Sequence, residues 1–398
     1  MTTTTAPLDW DPYDLALDDD PYPAWKRLRD EAPVYRNDQL DFWALSRFAD
    51  VENAHKDTGT FSSTHGTVLE RMGPTAGQNR MLIFLDPPEH SILRVLVSRA
   101  FTPRRVAGIH DQVRNICADL LDPHLGTGGF DYVQDFAAQL PSRVISSLVG
   151  VPPEDQEPTR KLVEAMFHIE PGVGMVNDIS ATAALELAVY LSDLVAARRA
   201  EPRDDLISGL VQAEITDGGT TRRLTSDECT EFAILLYTAG TETVAKLLGN
   251  AAVVLASNPD QRAMLAADPG VIPGAVEELL RLEPPSPVNG RWTTRDVELH
   301  GTVIPKDSKV LLLTGSAGRD DRVFADPDRF DVRRSSAHHL SFGHGAHFCI
   351  GAALARLEGR VALEETLSRF PEWSVDPAGI ERAHTSTVRG YRRVRINT

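Results

Sequence analysis

Cys349 stands in Leu340-Ser341-Phe342-Gly343-His344-Gly345-Ala346-His347-Phe348-Cys349-Ile350-Gly351, where a loop enters a helical pattern. At a helix start the unpaired N–H groups and the positive end of the dipole favour a thiolate over a thiol. The glycines let the backbone approach something flat and large, and Phe342 and Phe348 supply apolar cover. A lone cysteine in such a turn is most often a small buried hydrophobe; the whole string lowers that reading sharply. A second group lies in a long apolar stretch, Leu235-Leu-Tyr-Thr-Ala239-Gly240-Thr241-Glu242-Thr243-Val244. Ala239 and Thr243 are four apart and share a helix face, and Gly240 on the adjoining edge leaves room for a diatomic ligand. The Thr243 hydroxyl can bond the Ala239 carbonyl and hold a water; taken alone, Gly-x-Glu-Thr is better read as a packing kink. Glu278-Leu-Leu-Arg281 is normally a modest surface pair. His90 and Arg94, at i and i+4, are most often a solvated face.

Phe-Gly-x-Gly-x-His-x-Cys-x-Gly, present as Phe342 to Gly351, resembles the haem-binding loop of the cytochrome P-450 monooxygenases. The resemblance runs from Asp20-Pro-Tyr-Pro to Arg389-Gly390, in the order and spacing of a soluble bacterial member. It implies haem b (iron protoporphyrin IX) held between a long distal helix and the loop of Cys349, the axial thiolate ligand, which pushes electron density toward O–O cleavage. Phe342 and Gly351 belong to that loop, and Ala239 and Gly240 to the distal wall. His90 and Arg94 would reach one propionate, Arg291 and His347 the other. Glu242 and Thr243 match the acid–alcohol pair that supplies protons to dioxygen; the family often carries Asp at the position of Glu242. Glu278 and Arg281, completed by Arg329 in Pro327-Asp-Arg-Phe330, would form a structural charge network bracing the loop. The usual Ala-Asn-Arg-Asp is here Ala317-Gly318-Arg319-Asp320, for which only added backbone freedom is expected.

The activity implied is insertion of one oxygen atom of O2 into an apolar small molecule (lipid, terpenoid, steroid or polyketide-like), with electrons from a ferredoxin and an NAD(P)H-dependent ferredoxin reductase. A peroxide-driven peroxygenase tends to replace the acid–alcohol pair, and a non-catalytic haem sensor has no use for one. The pocket is expected along Ser63–Phe84, Phe167–Ile179, Leu236–Thr243, Pro285–Asn289 and Thr385–Val388, a mostly apolar set. Arg94, Arg99, Arg104, Arg105, Arg356 and Arg360 would offer an acidic ferredoxin a basic patch.

The elements that must position these residues are mainly helical. With 398 residues, 42% of them hydrophobic and 25% charged, the chain has the composition of a globular protein. The formal charge of −16 argues against a nucleic-acid binder or a polybasic membrane anchor. Three cysteines make no disulfide framework, so a reducing, cytoplasmic compartment is the simplest reading, and Cys117 and Cys229 read as packing. The polar residues Met1–Ala6 lack the pattern of a signal peptide. Helical periodicity covers 88–100, 103–121, 136–149, 156–168, 179–199, 259–267, 272–282 and 349–370. A capping box at Thr225–Glu228 starts an apolar run to Leu255. Short strands are expected at 34–36, 41–45, 291–294, 297–299, 309–313, 373–375 and 388–396. The fold expected is a mainly α monomer with small β-sheets (α+β): one large domain over 20–398 behind an acidic extension, 1–19.

Overall fold

The computed structural model describes residues 8–74, 81–98, 101–170, 174–217, 219–335, 338–385 and 387–398. α1 (Leu15–Asp19) is capped by the Asp14 carboxylate, and α2 (Tyr22–Glu31) takes a proline in its first turn. β1 (Val34–Asn37) and β2 (Phe42–Leu45) form the expected hairpin, followed by α3 (Phe48–Lys56) and β3 (Phe61–Ser62). Next come α4 (Glu89–Ser98), α5 (Pro103–Gly108) and α6 (His110–Leu121), the last two dividing what reads as one helix in the sequence. β4 (Phe130–Asp131) leads through π-helical turns at Tyr132–Ala137 into α7 (Gln139–Val149), which Gly150 ends at φ 97°. α8 (Pro153–Met166), α9 (Asp178–Ala200) and α10 (Leu206–Gln212) follow.

β5 (Glu214–Asp217) and β6 (Thr220–Arg223) form a hairpin where the sequence signals only a turn. Both strands are almost wholly polar, so no apolar alternation marks them. α11 (Ser226–Ser257) is 32 residues long and starts on the predicted capping box. The Glu228 N–H donates to Thr225 Oγ1 at 3.1 Å, and the Thr225 N–H donates to Glu228 Oε2 at 2.8 Å. α12 (Pro259–Ala267) and α13 (Ile272–Leu282) precede β7 (Asn289–Thr293), β8 (Val297–Leu299), β9 (Thr302–Ile304) and β10 (Lys309–Leu312). Then come α14 (Thr314–Ala317), α15 (Ala352–Arg369), β11 (Ser374–Ala383) and β12 (Gly390–Asn397).

One sheet has the order β1-β2-β10-β7-β3, with β2 and β10 parallel, and a second the order β11-β12-β4. The largest core cluster is helical and is built around α11; two smaller ones cover the faces of the first sheet. The architecture is the expected mainly α body with small sheets. Within the acidic segment Trp10 is 3% exposed and meets Trp25 and Phe42 edge-on, while α1 has no buried residue.

Candidate functional site

The Cys349 loop is closed on itself. The Cys349 N–H donates to the Phe342 carbonyl at 2.8 Å, and Gly343 and Gly345 take φ of 68° and 69°, which suits glycine. A Cβ on Gly345 would stand 2.8 Å from the His55 carbonyl, so the loop is pressed against the end of α3. Gly351 caps α15, which begins at Ala352, three residues beyond the cysteine, and the Gly351 N–H faces the sulfur. Burial pushes the Cys349 thiol above its ordinary value, while that N–H, Arg94 and Arg356 pull it down. Burial outweighs these influences. Phe342 is buried beneath the Arg356 guanidinium, 4.6 Å from the ring centroid. Arg356 is held by Glu277 through two bonds of 2.7 and 2.8 Å.

Around this loop the structure gathers imidazoles and guanidiniums from four elements. The His90 and His347 rings lie 4.3 Å apart, and His347 reaches Ser63 Oγ at 3.3 Å and Asp86 Oδ1 at 3.6 Å. Arg94 bonds the Phe348 carbonyl beside Cys349. Arg291 is 5% exposed; it donates to the Gly290 carbonyl at 2.7 Å and meets His55 Nδ1 at 3.5 Å, with no carboxylate partner among the described residues. Burial lowers its pKa to about 10. Burial, with His347 and Arg94, lowers that of His90 to about 4, and burial beside Arg291 drives that of His55 well down. His90 has both ring nitrogens buried without a partner among the described residues, as has Nε2 of His55. His55 was not singled out in the sequence, because a histidine on α3 belongs to no motif.

On α11, Thr243 Oγ1 donates to the Ala239 carbonyl at 2.9 Å, as the spacing predicts. Ala239 is exposed and Thr243 partly so, in a helix otherwise largely buried, so this face opens. Gly240 does not serve the open face. A Cβ there would strike the Ile145 side chain at 2.8 Å, so the glycine admits α7 rather than a diatomic ligand. Glu242 is 8% exposed and pairs with Lys246, a residue no motif marks, at 3.2 Å. α15 packs against α11, where Gly359 faces Leu247.

The charge network behind the loop differs in one member. Glu278 and Arg281 are wholly buried and joined at 2.7 and 2.8 Å. The second guanidinium on Glu278 is that of Arg334, at 3.0 Å; Arg329 is exposed and contributes its backbone carbonyl. Gly318 does not use added backbone freedom, since its φ is −62°. It is a close approach: a Cβ would come 2.4 Å from the Arg281 carbonyl, while the Gly318 carbonyl accepts from Arg281 Nη1 at 2.6 Å.

These residues fit a flat, dianionic, metal-bearing group. Among the described residues the buried Arg291 has no carboxylate in an ion pair and the two nitrogens of His90 have no hydrogen-bond partner, while the Cys349 thiol faces the Arg94 and Arg356 guanidiniums and the Ala239 face is open. Comparison with known proteins points the same way. Residues 271–387 match the family described as Cytochrome P450. Cytochrome P450 123 of Mycobacterium tuberculosis is 43% identical over 97% of this chain and 96% of its own. The erythromycin C-12 hydroxylase of Saccharopolyspora erythraea is 42% identical over 88% of this chain and 87% of its own. A mutant of P450 EryK solved with erythromycin B superposes with a TM-score of 0.88 at 38% identity, covering 96% and 97% of the two chains. Identity at this level across nearly the whole length, on the same fold, means that the chain belongs to the cytochrome P450 family of haem-thiolate monooxygenases.

Proposed function

We propose that the protein hydroxylates an apolar small molecule, with haem b as its cofactor and electrons from a ferredoxin and an NAD(P)H-dependent reductase. The observation that carries this is the pairing of the Cys349 loop with an intact Glu242–Thr243 couple, which a sensor or a peroxide-driven enzyme has no need to keep. Cys349 would hold the haem iron, with Phe342 and Gly351 completing its loop. His90, Arg94, Arg291 and His347 would hold the two propionates, whose negative charge would meet the buried Arg291 guanidinium. The haem, when bound, activates dioxygen.

The chain's own residues handle protons and substrate. A threonine hydroxyl is too weak an acid to supply protons. With its hydrogen on the Ala239 carbonyl, the Thr243 oxygen accepts from a water and orders it. Glu242 is the group that recharges this water, acting only within hydrogen-bond reach of it. Ile83 and Val176, exposed apolar side chains on two of the expected pocket segments, favour a lipid-like or polyketide-like substrate. A macrolide suits that description, and two of the relatives act on or were solved with erythromycins. We assign residues 20–398 to one domain working as a soluble cytoplasmic monomer; α9 alone, among the described helices, is long and apolar enough to cross a membrane.

The assignment of Cys349 is tested by the reduced carbon monoxide complex. Cys349→Ser is expected to abolish the thiolate-type Soret band, while Cys117→Ser and Cys229→Ser, at buried packing positions, keep it. The opposite pattern overturns the ligand. A spectral screen of macrolides, steroids, terpenoids and fatty acids then identifies the substrate class by the shift each compound induces.

A further inference from the structure

His55 is the residue at which α3, β7 and the Cys349 loop meet. It stands in the last turn of α3 and is 2% exposed. Its backbone is the wall against which the loop closes, with its carbonyl 2.8 Å from where a Cβ on Gly345 would stand. Its ring touches the same loop, since a Cβ on Gly343 would lie 3.9 Å from Cε1. From β7, Arg291 brings Nη2 to 3.5 Å from its Nδ1. A guanidinium has N–H donors alone, so Nδ1 is the acceptor and the ring proton sits on Nε2. Burial, with Arg291, His347 and His344 close by, keeps the ring uncharged. The Nε2–H is buried without an acceptor among the described residues. An unpaired buried donor is costly, so a leucine would fill this corner at less cost. What histidine adds is the lone pair on Nδ1.

Both acceptors that hold Arg291 are neutral. Nη1 donates to the Gly290 carbonyl at 2.7 Å, and Nη2 faces His55. Asp86, whose charge reaches Arg291, turns its carboxylate to the Ser63 N–H at 3.1 Å and to His347 at 3.6 Å. A carboxylate in place of the His55 ring would grip the guanidinium more strongly and cancel its charge. We propose that His55 is a positioning residue for haem capture, whose neutral Nδ1 sets the direction of the Arg291 guanidinium without compensating it. The proposal rests on the propionate role given to Arg291 above. The guanidinium is oriented in advance, so little freedom is lost when it meets an anion, and its whole charge is kept for that anion. Because His55 touches both the arginine and the loop, it also fixes the spacing between the propionate anchor and the thiolate.

The haem-loaded full chain tests this without turnover, by the rate at which it loses haem to an excess of apomyoglobin and by its midpoint potential. His55→Leu is expected to lose haem several-fold faster and to shift the potential downward, because a propionate left less compensated favours the ferric state. His55→Gln, a neutral acceptor, restores both readings toward the wild type. His55→Glu, equal in length but charged, loses haem as fast as His55→Leu and has a lower potential than His55→Gln. Should His55→Leu fail to fold, the Gln and Glu variants carry the comparison, since they differ in charge alone. In the wild type, the nitrogen NMR spectrum of the reduced carbon monoxide complex is expected to place the His55 proton on Nε2. A proton on Nδ1 overturns the proposal, and so does a Gln variant no better than Glu. Arg291→Gln separates the two claims. If it loses haem quickly while His55→Leu holds it like the wild type, Arg291 keeps its role and His55 is packing. If Arg291→Gln itself behaves as the wild type, the propionate reading fails first and the role of His55 falls with it.

Discussion

Thr243 spends its only hydrogen on the Ala239 carbonyl 2.9 Å away, so toward the open face of α11 it presents lone pairs alone. Removing that oxygen leaves a water without its acceptor and touches neither the Cys349 loop nor the guanidiniums beside it. Thr243→Ala is therefore expected to load haem and bind substrate nearly normally, yet to consume NADH while releasing hydrogen peroxide in place of hydroxylated product. Parallel assays of NADH, peroxide and product decide it; a well-coupled mutant makes Thr243 a packing residue. At this scale legibility followed motif membership. Cys349, Phe342 and Thr243 stand out by spacing, whereas His90 and Arg291 enter only through the resemblance. His55 meets Arg291 across 236 positions, and no local pattern records such a contact; Lys246 stands four residues from Glu242, a helical spacing present in the sequence, and only its bond to Tyr391, 145 positions on, is not local. Gly240 was legible as a small residue but not in its purpose, because the direction its missing Cβ would take depends on where α7 lies.

α15 shows what an element does with an ionisable group it cannot solvate. Glu358, one helical stretch beyond Cys349, is 2% exposed, and its Oε2 has no partner among the described residues. Burial raises its pKa to about 8. An unfolded glutamate releases its proton near about 4.3. Between those values the folded chain binds more protons than the unfolded one, so stability is greatest at the acid end and falls as pH rises, by up to about 1.4 kcal/mol per unit from this group. Glu358→Gln is expected to flatten that fall between about pH 5 and 8, read as denaturation midpoints across the range. An unchanged slope would place the proton elsewhere. Long helices were legible because caps and apolar period agree, as at Thr225–Glu228 with α11. Lys309–Leu312 was legible by its β-branched and leucine-rich run, whereas β5 and β6 were not, being short and largely polar, nor was β9, which is only three residues long.

Across the whole molecule a charge of −16 coexists with exposed cations next to the Cys349 loop. Arg104 and Arg105 on α5 are exposed and make no ion pair among the described residues, and α5 packs beside α15. Arg356 and Arg360 are less free than the sequence suggests, since they face Glu277 and Glu364 at 2.7 and 3.8 Å. Arg99 lies outside the described residues. Steering by such a patch acts over about 10 Å at 0.1 M salt. Arg104→Glu is expected to slow reduction by an acidic ferredoxin several-fold at low ionic strength and to converge on the wild type at high salt. Stopped-flow reduction rates indifferent to both changes would remove the patch as a docking site. Trp10 escaped the sequence reading because flanking aspartates hide a residue that is anchored only once Trp25 and Phe42 are in place. β12 is the case with the longest reach. Its Val394 N–H donates to Asp131 across a separation of 263 residues, and its Gly390–Tyr391 segment seats Lys246. On the ribosome α11 is therefore synthesised long before the strand that fixes its lysine, and the emerging chain must carry that helix with an unsupported flank. Assembly of this haem protein is thus expected to finish only after translation of β12, and a ribosome stalled within that strand should hold a chain still open to protease along 242–250.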